Sequence, residues 1–132
     1  MCLYCIKRAP EKIPTIGYKV FIRHAGFCEV DTYYTGPYYG EPMLMGMFYS
    51  AVREKKMTET MGDWYMTGFH VFYNIPSARL YMNDIRPGAN ESVCICKVDV
   101  EGVRCFGEQS VLGYDTVDCF ICDKIKILRE VR

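Results

Sequence analysis

The chain has 132 residues, half of them hydrophobic and 14% aromatic, with 16 basic and 16 acidic side chains and no net formal charge. This length and apolar content suffice for the core of one domain and exclude a disordered chain. The neutral balance removes the long-range field that draws a protein to nucleic acid, so the expected partner is a protein or a small molecule and not DNA or RNA.

Residues 1–15 carry Lys7, Arg8, Glu11 and Lys12, with Pro10 and Pro14 among them, which reads as an irregular lead-in and not as a secretory signal. No apolar run approaches the roughly 18–20 residues of a membrane span. A cytoplasmic protein is expected, and its eight cysteines are then thiols and not disulfides. Residues 18–22 have strand composition, and residues 28–34 alternate well enough for a second strand. Thr35-Gly36-Pro37-Tyr38-Tyr39-Gly40 is punctuated as a loop, and its glycines allow backbone to approach a ligand closely. Residues 47–56 are compatible with a short helix ending in cations that suit its C-terminal dipole. The methionines around it read as adaptable core. Residues 64–73 read as a strand and residues 77–83 as a helix, with Pro76 near its start and Asn74 or Ser77 as cap. Residues 92–100 are nearly continuously apolar, as in a central strand, and Glu101-Gly102 reads as a tight connection to residues 103–106. Residues 115–128 read as one strand with a turn or bulge near Asp123-Lys124. Together these predict one α+β domain over residues 1–132, a small, mainly antiparallel sheet with short helices.

Several patterns bear on chemistry, each with an ordinary structural reading beside it. The strand Gly68-Phe69-His70-Val71-Phe72 runs into the helix that carries Ser77 and Tyr81. Rings from a strand and a helix, His70 and Tyr81, can form a slot for a flat ligand, or simply a packed corner. Cys2-Leu3-Tyr4-Cys5 and Cys119-Phe120-Ile121-Cys122 have zinc-ligand spacing. Neither has the glycine or proline usual in a zinc turn, and residues three apart in a strand face opposite sides, so no metal is expected. The two histidines, His24 and His70, have no signature tying them to a cysteine. No phosphate-binding glycine loop and no nucleophile elbow is present. Asp115 and Asp118 stand where the last strand begins, so a carboxylate there can reach a cleft while the strand stays packed. Turn aspartates are the ordinary reading.

Residues 64–131 resemble the catalytic core of the ADP-ribosyltransferases, in the branch of diphtheria toxin and poly(ADP-ribose) polymerase. That core has a Gly-x-Tyr-Phe strand and then a helix with a second tyrosine. Gly68-Phe69-His70-Val71 with Ser77, Ala78 and Tyr81 is similar. Residues 93–102 resemble its apolar strand ending in an acidic turn. Asp118-Cys119-Phe120-Ile121-Cys122-Asp123 resembles its acid-led strand, with Asp115 shortly before. Thr35-Gly36 stands about where the family has His-Gly, with Arg23-His24 as the other option. His70 replaces the first stacking tyrosine, and aspartate replaces the catalytic glutamate. Across the whole chain the length, the loop at 35–40 and the Asp115 region resemble the small anti-CRISPR ADP-ribosyltransferases of phages and other mobile elements, which act on the type I-F surveillance complex.

The resemblance implies a NAD-dependent protein mono-ADP-ribosyltransferase that modifies a subunit of the host type I-F CRISPR surveillance complex and blocks recognition of target DNA. NAD, as substrate, would place its nicotinamide between His70 and Tyr81, with Thr35, Gly36, Gly68 and Ser77 around it. Asp115 or Asp118 would stabilise the oxocarbenium-like charge as nicotinamide leaves, and no metal would be needed. Two other readings stand beside this one. One is a catalytically silent domain of the same fold that inhibits a partner by binding alone. The other is a zinc-stapled interaction module.

Overall fold

The computed structural model describes residues 3–25, 32–37, 41–59, 62–111 and 115–131. Within them lie β1 (Cys5–Lys7), β2 (Ile16–His24), β3 (Tyr33–Thr35), β4 (Phe48–Ser50), β5 (Lys55–Met57), β6 (Trp64–Met66), β7 (Phe69–Phe72), α1 (Ile75–Met82), β8 (Glu91–Val111) and β9 (Asp115–Val131). Two long strands organise the fold. β8 has 21 residues and β9 has 17, and they pair antiparallel along most of their length. The other edge of β8 takes β2 and then β1, and the other edge of β9 takes β7 and β4. β2 meets β7 at Tyr18 and Phe72, so β2, β8, β9 and β7 form a closed cycle of antiparallel pairs. β5 and β6 form a separate two-stranded sheet.

Strands this long must bend, and they bend where the ladder slips. Register shifts fall between Lys97 and Val98 and between Val103 and Cys105, each adding local twist. Gly102, at φ +67°, bends β8 without ending it, and its missing Cβ leaves room for the Asp123 carboxylate. The connection expected at Glu101-Gly102 is therefore a kink inside one strand. Of the turn or bulge expected near Asp123-Lys124, no turn forms, since β9 runs continuously there, and a register irregularity lies beside it, where Val103 and Cys105 face Cys122 and Ile121.

Alternation sorts the core onto two faces. Val20, Ile22, Phe72, Ile95, Cys119 and Ile121 pack with Ala78 and Tyr81 of α1. Phe21, Val71, Val98, Phe120, Cys122 and Ile125 pack with Tyr34 and Met43 on the other side. The helix starts as its sequence indicates. Asn74 accepts a 2.8 Å hydrogen bond from the Ser77 amide, and Pro76 sits in the first turn, where its missing N–H is not needed.

The helix expected over residues 47–56 does not form. Residues 48–50 are β4, paired with Lys126, Ile125 and Lys124 of β9, and residues 55–57 are β5. The open edge of β9 supplies backbone partners there, and this tertiary pairing overrides a weak local propensity. The strand expected over residues 64–73 divides into β6 and β7, which belong to different sheets. Arg104 holds the junction, donating to the carbonyls of Met66 and Thr67 and to Asp123. The mainly antiparallel sheet expected is present, and the fold is more strand-rich than the α+β expectation, with one eight-residue helix among the described residues. Of the strand expected at 28–34 and the loop at 35–40, residues 28–31 and 38–40 lie outside the described residues, and Tyr33–Thr35 is β3. Among the described residues no helix is long and apolar enough to cross a membrane.

Asp123 ties three segments together. Burial raises its carboxyl pKa, but hydrogen bonds from Arg104 and Arg53 outweigh that and hold it below the usual carboxylate range. A lowered pKa in the folded state means stability that is present above the unfolded-state value and lost as pH falls through the folded one. Asp123→Asn is expected to lower stability at pH 7 by about 1–3 kcal/mol and by much less near pH 2. Urea denaturation of both proteins at the two pH values measures this, and an equal loss at both would exclude an ionic origin.

Candidate functional site

A cavity of about 310 Å³ lies on the face of Phe21 and Val71. Among the described residues five stretches supply its walls: Lys19 of β2, Gly36 and Pro37 after β3, Glu41 and Met43, residues 49–52 with Glu54 and Lys56, and Thr67 to His70 leading into β7. The volume is at the low end of small-molecule sites, which run from about 300 to 1,000 Å³.

Lys19 is the unusual residue in this wall. Alternation along β2 sets it on the face of Phe21, and it is only 7% exposed. Its Nζ donates to the His70 carbonyl at 3.0 Å and lies 5.8 Å from the centres of both the Phe21 and Phe69 rings. Among the described residues no carboxylate pairs with it. Burial lowers its pKa to about 8, opposed slightly by the thiols of Cys122 and Cys119. Buried lysines are rare because a desolvated charge is costly unless paired. One in a cavity wall marks a functional candidate. No motif marks Lys19 in the amino-acid sequence. The signal available lies in the strand Tyr18-Lys19-Val20-Phe21-Ile22, where a lysine shares a face with a core phenylalanine.

Three of the residues singled out from sequence, Gly36, Gly68 and His70, line this same cavity. No protein-family model, curated protein or solved structure matches the chain. The other candidates stand elsewhere. Thr35 precedes Gly36, and its hydroxyl is 2.8 Å from His24 Nε2. The His24 ring stacks on Tyr33 at 4.6 Å, and its Nδ1 is 3.6 Å from the Glu91 carboxylate. Ser77 is engaged at the cap of α1. Tyr81 is 4% exposed and packs on Phe72 at 5.3 Å, in the core under α1. Asp115 is exposed at the first residue of β9. Asp118 is exposed and accepts a 2.8 Å hydrogen bond from Lys7, which also pairs with Glu108 at 2.8 Å. The carboxylates that do line the cavity are Glu41 and Glu54.

His70 contributes its backbone to this wall more than its ring. Its Nδ1 lies 3.1 Å from Gln109 Oε1, so Nδ1 carries the proton. Burial and then the charge of Lys19 lower its pKa to about 3, so the imidazole is neutral in the physiological range. Alternation along β7 sets that ring on the face of Phe72, the face of Tyr81, while the carbonyl receives Lys19.

Of the described cysteines, Cys96, Cys119 and Cys122 are buried in the core, and Cys5, Cys94 and Cys105 are half-buried. Cys119 and Cys122 belong to clusters on opposite faces, so their thiols point apart. Burial pushes both thiols up, Cys122 to about 12, which leaves them protonated and unreactive. Cys2, the partner of Cys5 in the other spaced pair, lies outside the described residues. Among the described residues no three His, Cys, Asp or Glu side chains gather as a metal site.

Proposed function

We propose that this chain is an ADP-ribosyltransferase-like domain that binds NAD in the cavity over Lys19 and acts on a partner protein, a subunit of the type I-F CRISPR surveillance complex, by binding. The observation that carries the reading is the meeting of Gly36, Gly68 and His70 around one buried cation that no carboxylate pairs among the described residues. The cavity takes one ring and sugar of a dinucleotide, and Lys19 supplies positive charge for its anionic part. A protein partner is supported by the β5–β6 hairpin beside the cavity. Lys56 on one face lines the cavity, while Met57, Trp64 and Met66 stand exposed on the other. Exposed apolar groups of this kind suit a protein interface.

Transfer of ADP-ribose is the second reading, and the Glu41 and Glu54 carboxylates in the cavity wall favour it. On this reading Glu54 takes the role that the sequence resemblance gives to Asp115 or Asp118. Calorimetry with NAD tests the binding reading: wild-type protein is expected to bind, and Lys19→Met to lose at least tenfold in affinity. Absence of NAD binding by the folded wild-type chain would overturn it. Nicotinamide release in the presence of the surveillance complex tests transfer. Release that survives Glu54→Gln but is lost in Asp115→Ala or Asp118→Ala would return the catalytic role to those aspartates.

A further inference from the structure

We propose that Lys19 is a reactive amine that condenses with a small aldehyde or ketone entering the cavity, forming an imine. This goes beyond the NAD reading and does not rest on it, because NAD presents no free aldehyde or ketone. The geometry supplies three conditions. The side chain lies in the wall of a cavity of about 310 Å³. Among the described residues its Nζ donates one hydrogen bond, to the His70 carbonyl. Among the described residues no carboxylate pairs with the amine to hold it protonated. Its burial, with 7% of the residue exposed, raises the proportion of neutral amine over that of a solvated lysine.

The charged and titratable groups around it are Cys119 and Cys122 of β9, the neutral His70 of β7, Lys56 of β5, and Glu41 and Glu54 in the cavity wall. The two thiols are protonated and the burial of Lys19 dominates, so its pKa is about 8 against the usual 10.5. At pH 7 about one Lys19 in ten is then the free amine, against about one in three thousand for an ordinary lysine. That is roughly a 300-fold excess of nucleophile.

The step balances without an oxidant or reductant. The Nζ lone pair attacks the carbonyl carbon, the carbonyl π electrons pass to oxygen, and one of the two Nζ protons is relayed to that oxygen, giving the neutral carbinolamine. The carbinolamine then loses its hydroxyl as water, with a second proton reaching that oxygen and the nitrogen giving up its own. The products are an imine on Lys19 and one water. Glu54 or Glu41 is suited to pass these protons. The substrate class is a small carbonyl compound with an apolar or flat body that fits beside Phe69.

The test is competitive labelling of the full chain with acetaldehyde and cyanoborohydride, read by peptide mass spectrometry, with the exposed Lys12 as internal standard. Lys19 is expected to become alkylated at least tenfold faster than Lys12 at pH 7, with a rate that rises through a midpoint near pH 8. A rate no greater than that of Lys12, or a midpoint at the ordinary lysine value, overturns the inference. Because the readout is made on wild-type protein without NAD, fast labelling stands even where calorimetry finds no NAD binding, and slow labelling fails even where it does.

Discussion

Replacing Lys19 by methionine is expected to make the protein more stable at pH 7, by about 2 kcal/mol, while the cavity loses its ligand. The pKa of Lys19 falls from 10.5 to about 8 on folding because burial disfavours the ammonium. Each pKa unit is worth about 1.4 kcal/mol, so the desolvation cost is on the order of 3 kcal/mol. Methionine has a similar length and no charge, and its main loss is the hydrogen bond to the His70 carbonyl, which returns about 1 kcal/mol. The pH dependence separates this from ordinary repacking. Between about pH 8 and 10.5 the unfolded chain holds a proton that the folded chain has released, so wild-type stability rises with pH in that window. Below pH 8 both states carry the proton and the penalty is constant. The stability difference between Lys19→Met and wild type should therefore shrink from pH 8 to 10.5, which urea denaturation at several pH values measures. A variant less stable than wild type at pH 7 would show that the lysine serves the fold. A gain in stability with loss of binding is the mark of a residue kept for function at a cost to the fold.

Gly68→Ala is expected to destabilise the protein by about 3 kcal/mol or more, at the upper end of what overpacking costs. A Cβ at position 68 would collide with the Cys122 carbonyl, and would come within 2.8 Å of the Arg104 guanidinium and 2.9 Å of Ile121 Cγ2. The carbonyl cannot retreat easily, since Cys122 is paired with Phe69 in the ladder between β7 and β9. Arg104 cannot retreat either without releasing the carbonyls of Met66 and Thr67 and the Asp123 carboxylate. The missing side chain of Gly68 is thus used by the strand beside it and not only by the cavity it borders. Thermal and urea unfolding measure the loss. A Gly68→Ala protein as stable as wild type but weaker for NAD would assign the glycine to the ligand instead.

Local chemistry was legible in the amino-acid sequence. Period-two alternation put Val20 and Phe21 on opposite faces and kept Cys119 and Cys122 apart, and Asn74 with Pro76 marked the start of α1. Those features depend on neighbours within a few residues, so spacing alone determines them. Of the six residues that the resemblance groups, Thr35, Gly36, Gly68, His70, Ser77 and Tyr81, the fold sets three on the wall of one cavity and the others elsewhere. Only the tertiary structure decided the rest. Residues 48–50 became a strand because β9 had an edge to offer, and residues 64–73 divided where Arg104, from a distant strand, captured two carbonyls. Tyr81 went to the core under α1, and Asp118 to Lys7. Lys19 became a buried cation because Phe21, Phe69 and the β7 backbone closed around it. Desolvation and long-range pairing belong to whatever surrounds a residue in space, and that information is absent from the residue's own position in the chain.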